Sequence, residues 1–156
     1  MKFSEFKYER PNFDQYKATM TSLIDQFKVA SSASEQLNIV TEINETRNHI
    51  ETMATLASIR HSIDTRDEFY DAEQNYWDEY GPLYEEINSL FYDAVVSSPY
   101  RNELEEKLSK QFFTILDYRL KAFSPEIIAD LQEENKLSSQ YTKLLASAKI
   151  PFDGEE

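Results

Sequence analysis

Apolar residues recur at three- and four-residue spacings along almost the whole chain. The first set, Phe13, Tyr16, Met20, Leu23, Ile24 and Phe27, follows an aromatic lead-in (Phe3, Phe6, Tyr8) and Pro11-Asn12. Such spacing lies on one helical face, so a first helix is predicted here. Ser31-Ser32-Ala33-Ser34 interrupts the pattern, and Ser32 with Glu35 three residues later has the spacing of a capping box, the reciprocal pairing that starts helices. A second stripe follows at Leu37, Val40, Ile43, Ile50, Met53 and Ala57. Only Arg47 interrupts it, and no Gly or Pro stops it before Ile63.

Thr65 and Glu68 repeat the capping spacing and predict a third helix carrying Phe69, Tyr70, Tyr76, Trp77 and Tyr80. Gly81-Pro82 reads as punctuation, with a fourth stripe beyond it at Leu83, Ile87, Leu90, Phe91, Ala94 and Val95. Ser98-Pro99 and Ser124-Pro125 each place a capping serine before a proline suited to the first helical turn. They predict a fifth helix through Leu104, Leu108, Phe112 and Ile115, and a sixth through Ile128, Leu131, Tyr141, Leu144 and Leu145. Trp77, Phe91, Phe112 and Leu131 are the expected core residues. The fold class is all-α, about six helices in antiparallel pairs or a bundle, because the predicted connections are short.

The tail is different. Ile150-Pro151-Phe152-Asp153-Gly154 is an extended run leading into Asp-Gly, a strong short-range hairpin signal, yet two acidic residues stand where the return strand would begin. The expectation is a helical lobe at 1–149 and the start of a truncated β-hairpin at 150–156, making the chain part of something larger. A frayed polar tail is the alternative. On the first reading the fragment self-associates through an uncovered apolar face.

Composition narrows the function. Sixteen basic against twenty-nine acidic residues give a formal charge of −13, which repels phosphate backbones and anionic lipid, so neither nucleic acid nor membrane is an expected partner. There is no cysteine, which removes disulfides, thiolate metal sites and cysteine nucleophiles, and fits a cytoplasmic protein. Glycine occurs only at 81 and 154, so no Gly-rich phosphate loop or Gly-x-Ser-x-Gly elbow exists. His49 and His61 are the two histidines. Twelve positions apart on one helix, they would stand about 18 Å from each other and could not share a metal. Neither a His-Glu-x-x-His nor a Glu-x-x-His motif is present, so the chain itself is expected to hold no cofactor.

The most function-like stretch is Ser58 to Asp67, which mixes both charge signs with a histidine where two helices meet. Either it is a helix junction held by local Arg and Asp hydrogen bonds, or Arg60 and His61 line a ligand cleft. Tyr76-Trp77-Asp78-Glu79-Tyr80 likewise reads as core or as an interface anchor.

Three blocks carry a resemblance: Phe6-Lys7-Tyr8-Glu9-Arg10-Pro11-Asn12, Thr52 through Thr65 (TMATLASIRHSIDT), and Ser124 through Leu137 (SPEIIADLQEENKL) running on into Tyr141 to Ile150. In this order they resemble the opening of the oligoendopeptidase F family, zinc metallopeptidases related to thimet oligopeptidase. The resemblance implies an all-helical enzyme whose lobes enclose a channel that admits short peptides and excludes folded proteins, with zinc held far downstream. It makes this chain the non-catalytic N-terminal lobe, a wall of the substrate channel partnered by the downstream catalytic domain. Arg60 and His61 become candidate channel residues, and no catalytic or metal residue carries over. A free-standing acidic helical interaction module is the competing reading.

Overall fold

The computed structural model describes residues 2–149, apart from the side chain of Ser4; the predicted hairpin start at 150–156 lies outside the described residues. A short 3₁₀ turn at Phe3–Glu5 precedes six α-helices: α1 (Phe13–Val29), α2 (Ala33–Ile63), α3 (Glu68–Val96), α4 (Arg101–Leu108), α5 (Lys110–Ala122) and α6 (Ile128–Ala146). The chain is all-α among the described residues.

The polar residues flanking each apolar stripe explain where the helices start. Asn12 accepts a hydrogen bond from Gln15 N at 2.9 Å. Ser32 Oγ accepts from Glu35 N, and the Glu35 carboxylate reaches back to Ser31, so the expected box forms with its return arm displaced by one residue. At the third start the capping residue is Asp67 rather than Thr65. Its carboxylate accepts from both Phe69 N and Tyr70 N, satisfying two of the donors that a helix start leaves open.

Helix α3 is the axis of the domain. Helix α2 runs antiparallel to it: Gln36 meets Ser98, Arg47 meets Tyr92, and His61 meets Asp71. Helix α1 packs on both, with Phe27 edge-on to Phe91, Phe13 edge-on to Tyr84, and the Tyr16 hydroxyl donating to Asn88 Oδ1 at 3.0 Å. The core of this trio includes Met20, Phe27, Ile43, Phe91 and Val95, all fully buried. Buried Gln36 ties three elements together. Its amide donates to the Phe27 carbonyl at the end of α1 and accepts from Ser98 Oγ ahead of α4.

Two sequence expectations fail in compensating ways, and the helix count survives. Gly81-Pro82 does not end a helix; α3 continues through both residues to Val96. Conversely, the single helix expected across Leu104–Phe123 is broken at Ser109, which adopts a positive φ of 86° and caps α5 by accepting from Phe112 N. One non-helical residue rotates the phase of everything after it. Phe113 and Leu116 therefore enter the core beside Leu104, while Phe112 is only half-buried and Ile115 is exposed. Leu131 is also half-buried, because α6 contributes no fully buried residue at all.

Two stability outcomes follow, both read by thermal or urea unfolding. Phe113→Ala should cost about 3–5 kcal/mol, the usual range for a fully buried phenylalanine, and clearly more than Phe112→Ala. Gly81→Ala should stabilise by about 0.4–1 kcal/mol, since an added Cβ would meet nothing within 4 Å and the helix gains a better former.

Candidate functional site

The C-terminal turn of α2 points two neighbouring side chains in different directions. Arg60 turns toward the N-terminal segment: its guanidinium donates to the Phe6 carbonyl and the Tyr70 hydroxyl and lies over the rings of Phe3 and Tyr70, 5.7 and 5.4 Å from their centroids. His61 turns inward and is 3% exposed. Its Nε2 faces Asp71 Oδ1 at 3.4 Å without forming a proper hydrogen bond. The same carboxylate oxygen pairs with Lys143 of α6. One aspartate thus gathers a histidine from α2 and a lysine from α6 onto α3.

The rest of the Ser58–Asp67 stretch behaves as a local junction. Arg66 Nε donates to Asp64 Oδ1 at 3.0 Å, an exposed contact of two residues close in sequence. His49 lies near the middle of α2, on a shallow concavity with Asn12 and Thr46, and is not brought near His61. Between the α2–α3 turn and the end of α6 lies a cleft of about 610 Å³, lined by Ile63, Asp64, Arg66 and Ala146–Lys149. A second cavity, lined by Phe3, Phe6, Leu56 and Ile59, lies on the Arg60 side.

A second constellation was not foreseen. Glu73, nearly fully buried on α3, receives both Arg10 Nε, at 2.9 Å, and Arg10 Nη2, at 2.6 Å, as well as the Tyr8 hydroxyl. Trp77 Nε1 donates to that hydroxyl at 3.2 Å, and the Arg10 guanidinium lies 4.9 Å from the centre of the Tyr76 ring. Burial alone would raise the Glu73 pKa; the hydrogen bonds from Arg10 and Tyr8 outweigh it and hold the carboxyl below the ordinary glutamate value. Burial first, and then the bond to Glu73, push the Tyr8 hydroxyl far above the usual tyrosine value. Tyr8 and Arg10 so pin the lead-in segment across α3. A carboxylate at position 73, four residues before Trp77 on the same face, is the signal that a buried partner must exist.

The aromatic cluster divides. Trp77 joins the core against Tyr84, at 5.4 Å between ring centres, while Tyr76 and Tyr80 stack on each other at 4.5 Å and are half-buried. Among the described residues, no group of three or more His, Cys, Asp or Glu side chains could hold a metal ion, so the zinc of the resemblance finds no ligand set here. No helix among the described residues is long and apolar enough to cross a membrane.

The sequence matches the Peptidase M3 N-terminal domain over residues 3–123. No curated protein matches it. Among solved structures it is similar to PZ peptidase A with an inhibitor, at 52% identity and a TM-score of 0.96 over 99% of this chain and 28% of that one. A protein assigned as oligoendopeptidase F, crystallised by microfluidic seeding, shares 51% identity with a TM-score of 0.97, over 100% of this chain and 28% of that one. Another so assigned, from Bacillus anthracis str. Ames, shares 46% identity with a TM-score of 0.96, over 100% and 29%. The chain therefore spans less than a third of the length of the proteins it matches.

The clamp on Glu73 makes stability acid-sensitive. A carboxyl whose folded pKa is depressed contributes stability that is complete above its unfolded value, near 4.5, and is lost as pH falls through the folded value. Glu73→Gln should lower the unfolding free energy by about 1–2 kcal/mol near neutral pH, discounted for the exposure of Arg10. The gap between wild type and variant should close on acidification below 4.5; urea titrations at a series of pH values measure it.

Proposed function

The chain belongs to the family of Peptidase M3 N-terminal domains, and from that premise we propose that it is the non-catalytic N-terminal lobe of a zinc metallopeptidase that hydrolyses oligopeptides. The observation that carries the reading is the match to PZ peptidase A, at 52% identity with a TM-score of 0.96 across 99% of this chain but only 28% of that protein. The described residues contain no metal-ligand set, which supports a division of labour in which zinc and its ligands belong to the remaining polypeptide and this lobe forms a wall of the substrate channel. Residues 1–149 are the lobe on this reading, and the enzyme works in the cytoplasm, in keeping with a chain free of cysteine.

Arg60 and His61 shape that wall from its junction. Arg60 fixes the lead-in segment on α2 and α3, and His61 is buried beside Asp71 where α2 meets α3, so both act on a channel by holding its frame. A free-standing acidic interaction module remains the second reading, favoured by the apolar residues that α6 exposes.

A chimera separates the two. This chain replaces the matching 28% of PZ peptidase A, and peptide cleavage is followed for the chimera and for the isolated chain. The isolated chain should cleave nothing and retain no zinc after dialysis, whereas the chimera should cleave short peptides and spare folded proteins. EDTA-sensitive cleavage by the isolated chain, or a folded chimera without peptidase activity, would refute the assignment.

A further inference from the structure

Helix α6 is amphipathic the wrong way round for a surface helix. The edge facing α3 is half-buried and largely polar: Gln132 Nε2 donates to the Glu79 carbonyl at 2.7 Å, Asn135 Nδ2 to the Asp78 carbonyl at 3.2 Å, and Lys143 pairs with Asp71. The opposite edge carries Leu137, Tyr141, Leu144 and Leu145, which are 54, 62, 67 and 57% exposed. At 3.6 residues per turn these four positions form one stripe, roughly opposite the seam on α3. Ile63, also exposed, borders the cleft at the far end of the same helix. A run of large apolar side chains turned away from the domain marks a surface that something else covers.

We propose that this stripe is the docking face for the catalytic part of the same peptidase, the polypeptide that follows the matched segment in the relatives; the inference rests on the reading of the chain as an N-terminal lobe. Three observations select this occupant. Helix α6 lies beyond residue 123, where the match to the N-terminal domain family stops, yet the structural matches run through it, so the relatives keep α6 as an element past that domain. More than two thirds of each relative's length lies outside the matched segment and is available to cover the stripe. A second copy is disfavoured because each chain carries a charge of −13, and like fields repel. Asp130, Glu133 and Glu134 occupy the outer side of α6 ahead of the stripe, so the covering surface should be an apolar patch with a basic rim.

The chain has no cysteine, so a single thiol can report on the stripe. Leu144→Cys is placed on it, and Val29→Cys, exposed at the opposite end of the domain, serves as the reference. Thiol labelling at each position is followed by mass spectrometry in the isolated chain and in the chimera with PZ peptidase A. Residue 144 should label at least tenfold more slowly in the chimera relative to residue 29. Equal relative rates in a chimera that unfolds cooperatively overturn the docking face. If that chimera still cleaves peptides, the lobe assignment stands while the docking inference falls; a folded chimera that cleaves nothing removes the lobe assignment, and the docking inference with it, whatever the labelling rate. A second measurement serves if the chimera does not fold. In the isolated chain, replacing Leu137, Tyr141, Leu144 and Leu145 together by Gln should leave the melting midpoint unchanged and abolish hydrophobic-dye binding and salt-promoted association. A large drop in the midpoint shows the stripe packed within the chain itself, and unchanged dye binding shows that it is no apolar surface; either result overturns the proposal. A tight dimer at low salt that the same substitutions dissolve assigns the stripe to a second copy instead.

Discussion

Pro82 stands in the middle of the helix on which the other elements pack, and a proline there has no N–H to give the carbonyl four residues earlier. That carbonyl belongs to Asp78, itself buried, and an unpaired buried acceptor costs about 1–3 kcal/mol. The amide of Asn135 supplies the missing donor, and Gln132, one turn before it, bonds the next carbonyl at Glu79. The interruption in α3 is thereby converted into the site where α6 attaches. Because α6 presents amides toward α3, four of its large apolar residues, Leu137, Tyr141, Leu144 and Leu145, fall on the other side. The outward stripe is a consequence of the proline.

The other half of the frame is held by charge. Glu73 and Asp71, two residues apart, leave α3 in different directions: Glu73 receives Arg10 and Tyr8 from the lead-in segment, and Asp71 receives Lys143 from α6 with His61 beside it. Arg60 adds a third tie by bonding the Phe6 carbonyl. A segment with no regular structure beyond one 3₁₀ turn is thus fixed across the end of a three-helix core. Phe6, Tyr8 and Arg10, Arg60 and His61, and Lys143 lie one set in each of the three stretches that carry the resemblance to oligoendopeptidase F, which ties family likeness to a particular set of contacts.

Much of this architecture is legible in the sequence where a single local rule decides. Asn12 and Ser32 announce helix starts because each offers a short acceptor just ahead of an apolar stripe, and each does cap, whereas Ser124 caps a 3₁₀ turn at Pro125–Ile127 that leads into α6. The stripes of α1 and α2 predict buried faces correctly because those helices are long and pack on at least two neighbours, and that of α3 does so except at Phe69 and Leu90, which are exposed. The failures occur where a distant element overrides the local rule. Gly81-Pro82 reads as a break until α6 supplies a donor for the freed Asp78 carbonyl. Ser109 gives no warning of its positive φ, and missing it shifts the expected α5 face from Phe113 and Leu116 to Phe112 and Ile115. Leu131 and its neighbours read as core because periodicity reveals a stripe but not what lies against it. Arg60 and His61 were recognisable as a charged junction, whereas their partners Phe6, Tyr70 and Asp71 are set by the fold.

Helix α6 is attached to α3 through amides, one ion pair and the half-buried Ile128 and Leu131, and unlike the core helices it buries no residue fully. Hydrogen exchange of the isolated chain, resolved residue by residue, tests this most directly, since protection tracks buried apolar contact rather than helix content. The account predicts that amides of Ile128–Ala146 exchange by local opening, far less protected than those of α2 and α3 around Ile43 and Phe91. Protection of α6 equal to that of this core would contradict it, because α6 would then be integral to the lobe on its own.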